Sequence, residues 1–212
     1  NSKIETSIFN KNKKAYVIYD VFLGQIYTIK QINYPLFKED KINTKINNIK
    51  NALIHKGDIL NAEKLDEERT RITAILKNNG YFNFQKEDIY FNVDTSFKDN
   101  STDLYVDIDT LNKLVNKQYV VEDITIFIEP TNSRSDTIKY EGISFVNLQE
   151  KIKKKTLERA IEIKKGMLYS KEKITNTRIN LSNLKMFKSI NIEVSESIKK
   201  ENNTVNCIIY LE

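Results

Sequence analysis

The chain has 212 residues, 40% of them apolar and 30% charged, and its 34 basic and 29 acidic residues leave a formal charge of +5. That length can bury a core, and opposite charges this evenly mixed are a mild bias towards anionic surfaces, not a nucleic-acid signature. Five Gly and two Pro exclude collagen-like and proline-rich disordered chains. Cys207 is the only cysteine, so no intrachain disulfide can form, and its neighbours Ile208 and Ile209 suggest a buried small side chain. No apolar run approaches the roughly 20 residues that span a bilayer as a helix. Asn1-Ser2-Lys3 is no signal peptide, so the expectation is a soluble protein or a piece of a longer chain.

Residues 1–24 read as a hairpin: Ile4 to Phe9, a turn at Asn10-Lys11-Asn12-Lys13, then Tyr16 to Leu23. A hairpin alone is marginal in water. It is expected to close a preceding unit, with the natural chain extending further N-terminally, or to pair with another surface.

Residues 25–110 read as strand, helix, helix, strand, strand. Ile26, Thr28, Lys30 and Ile32 alternate with Tyr27, Ile29, Gln31 and Asn33 in a β-rich run closed by Pro35. Ile42, Ile46, Ile49 and Leu53 then form one helical stripe that Gly57 is expected to end. Asn61 suits the N-cap of a second helix, with Leu65, Ile72, Ile75 and Leu76 inward and Asp66, Glu67, Glu68, Arg71 and Lys77 facing water. Asn79-Gly80 stops it. Two alternating strands follow, Ile89 to Asp94 and Leu104 to Asp109.

Residues 111–212 repeat the order. The first strand, Tyr119 to Ile128, leads into a polar loop from Pro130 to Asp136 that the first copy lacks. Leu148, Ile152, Leu157, Ala160 and Ile161 suggest the first helix, and Ser170 caps a second carrying Ile174, Leu181 and Leu184. Ile190 to Val194 and Val205 to Leu211 are the closing strands, with the turn at Glu201-Asn202-Asn203. The basic run Lys151, Lys153, Lys154, Lys155, Lys164 and Lys165 reads first as a solvated helix face, and second as a contact for an anionic membrane surface or an acidic partner.

The repeat is visible in the residues. Ile54-His55-Lys56-Gly57-Asp58-Ile59-Leu60 is matched by Ile163-Lys164-Lys165-Gly166-Met167-Leu168-Tyr169, and in each copy an Arg, Arg69 or Arg178, follows the Gly by twelve positions. Each copy ends in an aromatic run, Gly80-Tyr81-Phe82 or Lys185-Met186-Phe187. A tandem unit is more often a spacer or binding module than an enzyme. Catalysis finds little support, because His55 is the only histidine and a triad or metal site would rest on it alone. Asp107 and Asp109 share a strand face, which alternation on a wet hairpin explains better than paired acid–base chemistry. There is no phosphate-binding Gly-rich loop, and no cofactor or metal is expected.

The β-α-α-β-β order, the Gly between the helices, the Arg in the second helix and Leu76-Lys77-Asn78-Asn79-Gly80-Tyr81-Phe82 together resemble the POTRA (polypeptide-transport-associated) repeat. Leu65-Asp66-Glu67-Glu68-Arg69-Thr70-Arg71-Ile72 and Tyr90-Phe91-Asn92-Val93-Asp94-Thr95 look like the periplasmic part of BamA/TamA-like outer-membrane proteins. The likeness covers essentially the whole chain, although the second unit has Lys185-Met186-Phe187 where Gly-Tyr-Phe is expected. It implies an α+β fold of tandem POTRA domains, each with a three-stranded mixed sheet covered by two helices, in the periplasm and joined to a C-terminal membrane β-barrel. It also implies unfolded outer-membrane proteins as clients and accessory lipoproteins as partners, and no nucleic acid.

In that fold the third strand lies between the first and second, so the second strand is an edge. The client-binding edges would be Glu87-Asp88-Ile89-Tyr90-Phe91-Asn92-Val93-Asp94 and Ser189-Ile190-Asn191-Ile192-Glu193-Val194, whose unpaired backbone can accept an added strand. Gly57, Gly166, Gly80, Arg69, Arg178, Tyr81, Phe82 and Phe187 are expected to be structural, the glycines as helix caps and the arginines as links from helix to backbone. The alternatives are an architectural or partner-docking spacer of a secretion transporter and an RNA-binding α/β module; the second lacks a Gly-x-x-Gly clamp and an aromatic ribonucleoprotein strand.

Overall fold

The computed structural model describes residues 3–11, 13–22, 24–109, 117–129, 136–148, 152–197 and 203–212. Asn12, Leu23, residues 130–135 of the expected polar loop, Lys151, Glu201 and Asn202 lie outside them. β1 (Lys3–Lys11) and β2 (Lys14–Phe22) form an antiparallel hairpin that pairs with no other strand among the described residues. The first unit follows as β3 (Thr28–Asn33), α1 (Asp40–Ile46), α2 (Ala62–Lys77), β4 (Ile89–Asp94) and β5 (Ser101–Ile108). Its sheet has the order β3-β5-β4, with β5 parallel to β3 and antiparallel to β4.

The second unit is β6 (Val120–Ile128), β7 (Thr137–Tyr140), β8 (Ile143–Val146), α3 (Lys154–Ala160), α4 (Lys171–Asn183), β9 (Ile190–Glu196) and β10 (Thr204–Leu211). Its sheet is five-stranded, β7-β8-β6-β10-β9, not three-stranded as the repeat predicts. The addition is the hairpin β7-β8, turned at Glu141-Gly142 with φ of +48° and +78°, the pair of positive values that a tight two-residue hairpin requires. β8 lies parallel to β6 and buries Ile143 and Phe145.

Both first helices are shorter than their apolar stripes. α1 stops at Ile46, and Ile49 and Leu53 are 75% and 41% exposed. Asn48 breaks the helix by forming its own turn, its side-chain oxygen accepting the Lys50 N–H and its carbonyl accepting those of Asn51 and Ala52. Gly57 and Gly166 therefore cap no helix. They sit in matching turns at φ of +91° and +83°, which favour glycine, and those turns pair with the first strand. The Gly57 N–H donates to the Ile29 carbonyl at 2.7 Å and the Ile29 N–H to the Asp58 carbonyl at 2.8 Å; Gly166, Val121 and Met167 repeat the pair at 2.8 Å each. Asn61 and Ser170 cap α2 and α4 as expected, accepting the N–H groups of Glu63 and Lys173.

Glu68 and Arg71 do not face water. Glu68 is fully buried, its carboxylate accepting from Arg71 Nε and Nη2 at 2.8 and 2.6 Å, Tyr34 Oη at 2.7 Å and the Leu53 N–H at 3.0 Å. Arg71 also donates to the Ile46 carbonyl. This network ties α2 to the end of α1, to the strand β3 side at Tyr34 and to the loop before Gly57. Burial alone would raise the Glu68 pKa, but the Arg71, Leu53 and Tyr34 hydrogen bonds together with the Arg71 charge hold it below the ordinary value. The second unit solves the same problem without charge: buried Thr177 Oγ1 accepts the Glu162 N–H at 3.0 Å.

The run Gly80-Tyr81-Phe82 divides between the two units. Tyr81 enters the first core and donates its hydroxyl to Glu39 at 3.0 Å. Phe82 packs on the second core, edge-on to Tyr119 and Tyr169 at centroid distances of 5.7 and 5.0 Å. The Gly80 carbonyl accepts the Tyr119 N–H at 2.8 Å, Asn83 donates to Tyr119 Oη and Glu196, and Asn78 bonds Glu172. At φ of +100°, a Cβ on Gly80 would lie 3.1 Å from Leu168 Cδ2 and 3.2 Å from Gln118 Cβ.

Two outcomes follow for stability. Glu68→Ala leaves Arg71 buried without its partner and is expected to destabilise the first unit by about 3 kcal/mol. Because the folded pKa of Glu68 is depressed, its contribution is complete above the ordinary carboxylate range and is lost as pH falls through the folded value, so urea unfolding of Glu68→Ala should show a shallower acid dependence than the parent. Phe82→Ala is expected to cost about 2 kcal/mol and to separate the thermal unfolding of the two units in calorimetry; a transition of unchanged shape rejects the coupling role.

Candidate strand-docking edges

Among the described residues β4 has β5 as its one strand neighbour and β9 has β10, so both lie at sheet edges. On β4, Ile89 is buried, Phe91 half-buried, and Tyr90 and Val93 are exposed; on β9, Ile192 is buried while Asn191 and Glu193 are exposed. Inward side chains hold each edge to its helices and leave the outward ones wet, so the outer backbone is presented on a rigid support.

The expected segments start too early. Glu87 and Asp88 lie in a single 3-10 turn, Lys86–Asp88, whose Asp88 carboxylate accepts the Gln85 N–H at 2.6 Å. Ser189 precedes β9, and its N–H and carbonyl pair with Glu212 as a further rung of the β9–β10 ladder. The regular strands at the two edges are Ile89–Asp94 and Ile190–Glu196. At the far end of β9, Glu196 accepts from Asn83 at 2.6 Å and from Tyr119 Oη at 3.1 Å. Burial, then the Glu196 hydrogen bond, raises the Tyr119 pKa.

The repeated arginines are not equivalent. The Arg69 guanidinium lies over the Phe91 ring at 5.2 Å and 3.8 Å from Asp66, so it braces α2 against the inner face of β4 through a side chain and not through backbone. Arg178 is exposed on α4. Phe187 packs half-buried on the second core, and Lys185, at the place of Gly80 in the repeat, takes φ of +52°.

Several reactive groups have structural surroundings that account for them. His55 Nε2 lies 3.1 Å from the Ile49 carbonyl, and Asp107 accepts from Asn92 across the strand pair at 2.7 Å. Burial pushes the Cys207 thiol up to about 12, so little of it is the nucleophilic thiolate at neutral pH. Among the described residues no group of three or more His, Cys, Asp or Glu converges as metal ligands. Lys154 lies over Tyr140 at 5.8 Å, and Lys165 pairs with Asp123 at 2.7 Å, so part of the basic run is engaged within the second unit. Among the described residues no helix is long and apolar enough to cross a membrane.

Sequence reading missed a third open edge. Among the described residues β3 has β5 as its one strand neighbour; its other side is bridged by the glycine turn at Thr28 and Ile29, and beyond Ile29 it borders a groove of about 660 Å³ between Lys30–Tyr34 and the Asn47–Lys56 loop. The signal was present in the second copy: Ile138, Tyr140, Ile143 and Phe145 alternate around Glu141-Gly142, a hairpin where the first copy has none.

No curated protein matches the chain. The fold matches the POTRA3–5 fragment of BamA from Haemophilus influenzae with a TM-score of 0.53 and 14% identity, over 100% of this chain and 72% of that one. It also matches BamA from Haemophilus ducreyi lacking POTRA domains 1–3, with a TM-score of 0.58 and 15% identity, over 88% of this chain but only 29% of that one. The model of the POTRA family, described as a surface antigen variable number repeat, matches residues 27–110 and 138–212. With most of its length matched in two copies, this chain belongs to the POTRA family.

Proposed function

We propose that the chain is the periplasmic POTRA region of a BamA/TamA-like outer-membrane β-barrel protein, receiving unfolded client proteins by strand addition and docking accessory factors for outer-membrane protein assembly or translocation. The observation that carries the reading is topological: two units of different sequence and different sheet size leave the same strand, β4 or β9, with one neighbour. An edge recognises main chain, so it accepts β-rich clients of many sequences. On this reading β1 and β2 close a further unit, whose core would meet the exposed face carrying Ile4, Ile8, Val17 and Val21.

The magnitude suits handover. About five ladder bonds at roughly 1 kcal/mol each offset an association cost of roughly 4 kcal/mol or more. One edge alone then holds a client weakly, and several in series hold it longer without making any single release slow.

In ¹⁵N NMR titration, strand peptides from outer-membrane barrel proteins are expected to shift the backbone amides of Ile89–Asp94 or Ile190–Ser195. Shifts confined to other surfaces would overturn the assignment of those edges.

A further inference from the structure

The two units differ at one place that their shared turns make easy to align. Ile29 and Val121 each exchange two main-chain bonds with the glycine turn, and each is followed by the same irregularity in pairing with the central strand, at Lys30 and Glu122. Ile32 therefore corresponds to Ile124, and Ala52, Ile54, His55 and Lys56 correspond to Ile161, Ile163, Lys164 and Lys165. In the first unit 28 positions separate Ile29 from Gly57, and in the second 45 separate Val121 from Gly166. The additional residues contain β7 and β8.

Those strands enter the counterpart of the open groove. In the second unit Ile124, Ile161, Ile163, Lys164 and Lys165 line a space that also has Glu141 and Ile143 in its wall, and about 220 Å³ of it is left. In the first unit the corresponding walls enclose about 660 Å³. β8 pairs Ile143–Val146 with Ile124–Phe127, and the counterparts of that stretch begin at Ile32 in β3 and end at Pro35, two residues past its end, where the missing N–H ends the donor edge. Ile49, 75% exposed, stands at the groove's rim.

We infer that the β3 groove of the first unit is a docking site for an extended segment of another polypeptide, which lies parallel to β3 as β8 lies parallel to β6. The second unit indicates the chemistry of the occupant. Two apolar side chains two residues apart, as Ile143 and Phe145 are, point inward, and an acidic residue two positions earlier, as Glu141 is, meets the basic rim of Lys30 and Lys56. This site is separate from β4 and lies on the opposite edge of the same sheet, so it does not depend on client binding at β4 or β9.

The chain supplies its own probe, a peptide of residues 136–147. Titrated into the isotope-labelled full chain, it is expected to give saturable amide shifts at Ile32–Tyr34 and Ala52–Lys56. Ala52→Trp fills the groove, and Ile49→Asp alters its exposed rim; each should weaken binding about tenfold or more while the remaining amides report an intact fold. A peptide carrying Ile143→Asn and Phe145→Asn should not bind. Absence of shifts at Ile32–Tyr34 in millimolar peptide, or equal binding by both variants, would overturn the site. Concentration-dependent shifts there without peptide would identify a second copy as occupant and likewise reject the partner assignment. Because barrel-protein peptides read out at Ile89–Asp94 and Ile190–Ser195, failure at those edges and failure at this groove are separately visible.

Discussion

The outer edge of the first strand in each unit carries main-chain groups that need partners, and the glycine turn pairs the same two of them in both units, at Ile29 and at Val121. That small ladder requires a residue at positive φ whose N–H points at the strand, a requirement Gly57 and Gly166 meet with φ of +91° and +83°. Once the turn is docked, the second helix starts within a few residues, at Asn61 or Ser170, and its direction across the sheet follows. The remainder of the edge is then free to differ. One unit closes it with β8 and the other leaves a groove.

The loop before the turn has to be held down for this to work, and the units use different chemistry at the same helix position. Glu68 and Thr177 both accept a loop N–H, from Leu53 and from Glu162. A buried hydroxyl satisfies one donor at little cost. A buried carboxylate must have its charge met, and Arg71 and Tyr34 meet it here, so the first unit gains a wider set of bonds, to the end of α1 and to Tyr34 just past β3, at the expense of acid sensitivity. The larger network suits a loop of ten residues, Asn47 to Lys56, between α1 and Gly57, where the second unit needs only Ile161 to Lys165 after α3.

Element order, the caps at Asn61 and Ser170 and the alternating strands were legible in the sequence because each rests on local periodicity or local turn chemistry. The errors came where tertiary pairing overrides period. Ile49 and Leu53 continue the stripe of Ile42 and Ile46, yet the chain leaves the helix at Asn47 because Asn48 turns it and Arg71 takes the Ile46 carbonyl. Glu68 looks like one more acidic residue on a wet face, since its partners Tyr34 and Leu53 are 34 and 15 residues away. The edges β4 and β9 were readable only through the strand order that the family resemblance implies. The hairpin β7-β8 was readable from Glu141-Gly142 and the alternation around it, but it follows a polar stretch of sequence and has no counterpart in the first copy to draw attention to it.

The joint between the units constrains what an added strand at β9 can do. Glu196, the last residue of β9, gives its carboxylate to Asn83 of the first unit and to Tyr119, while Phe82 lies against Tyr119 and Tyr169. A strand paired as far as Glu196 would have to leave that carboxylate in place or break both bonds, and the Asn83 amide and Tyr119 hydroxyl would then need new partners. Pairing confined to Ile190–Ser195 avoids that cost. On the proposed strand-docking reading, the residues that join the units thus set the limit of the β9 edge at Ser195.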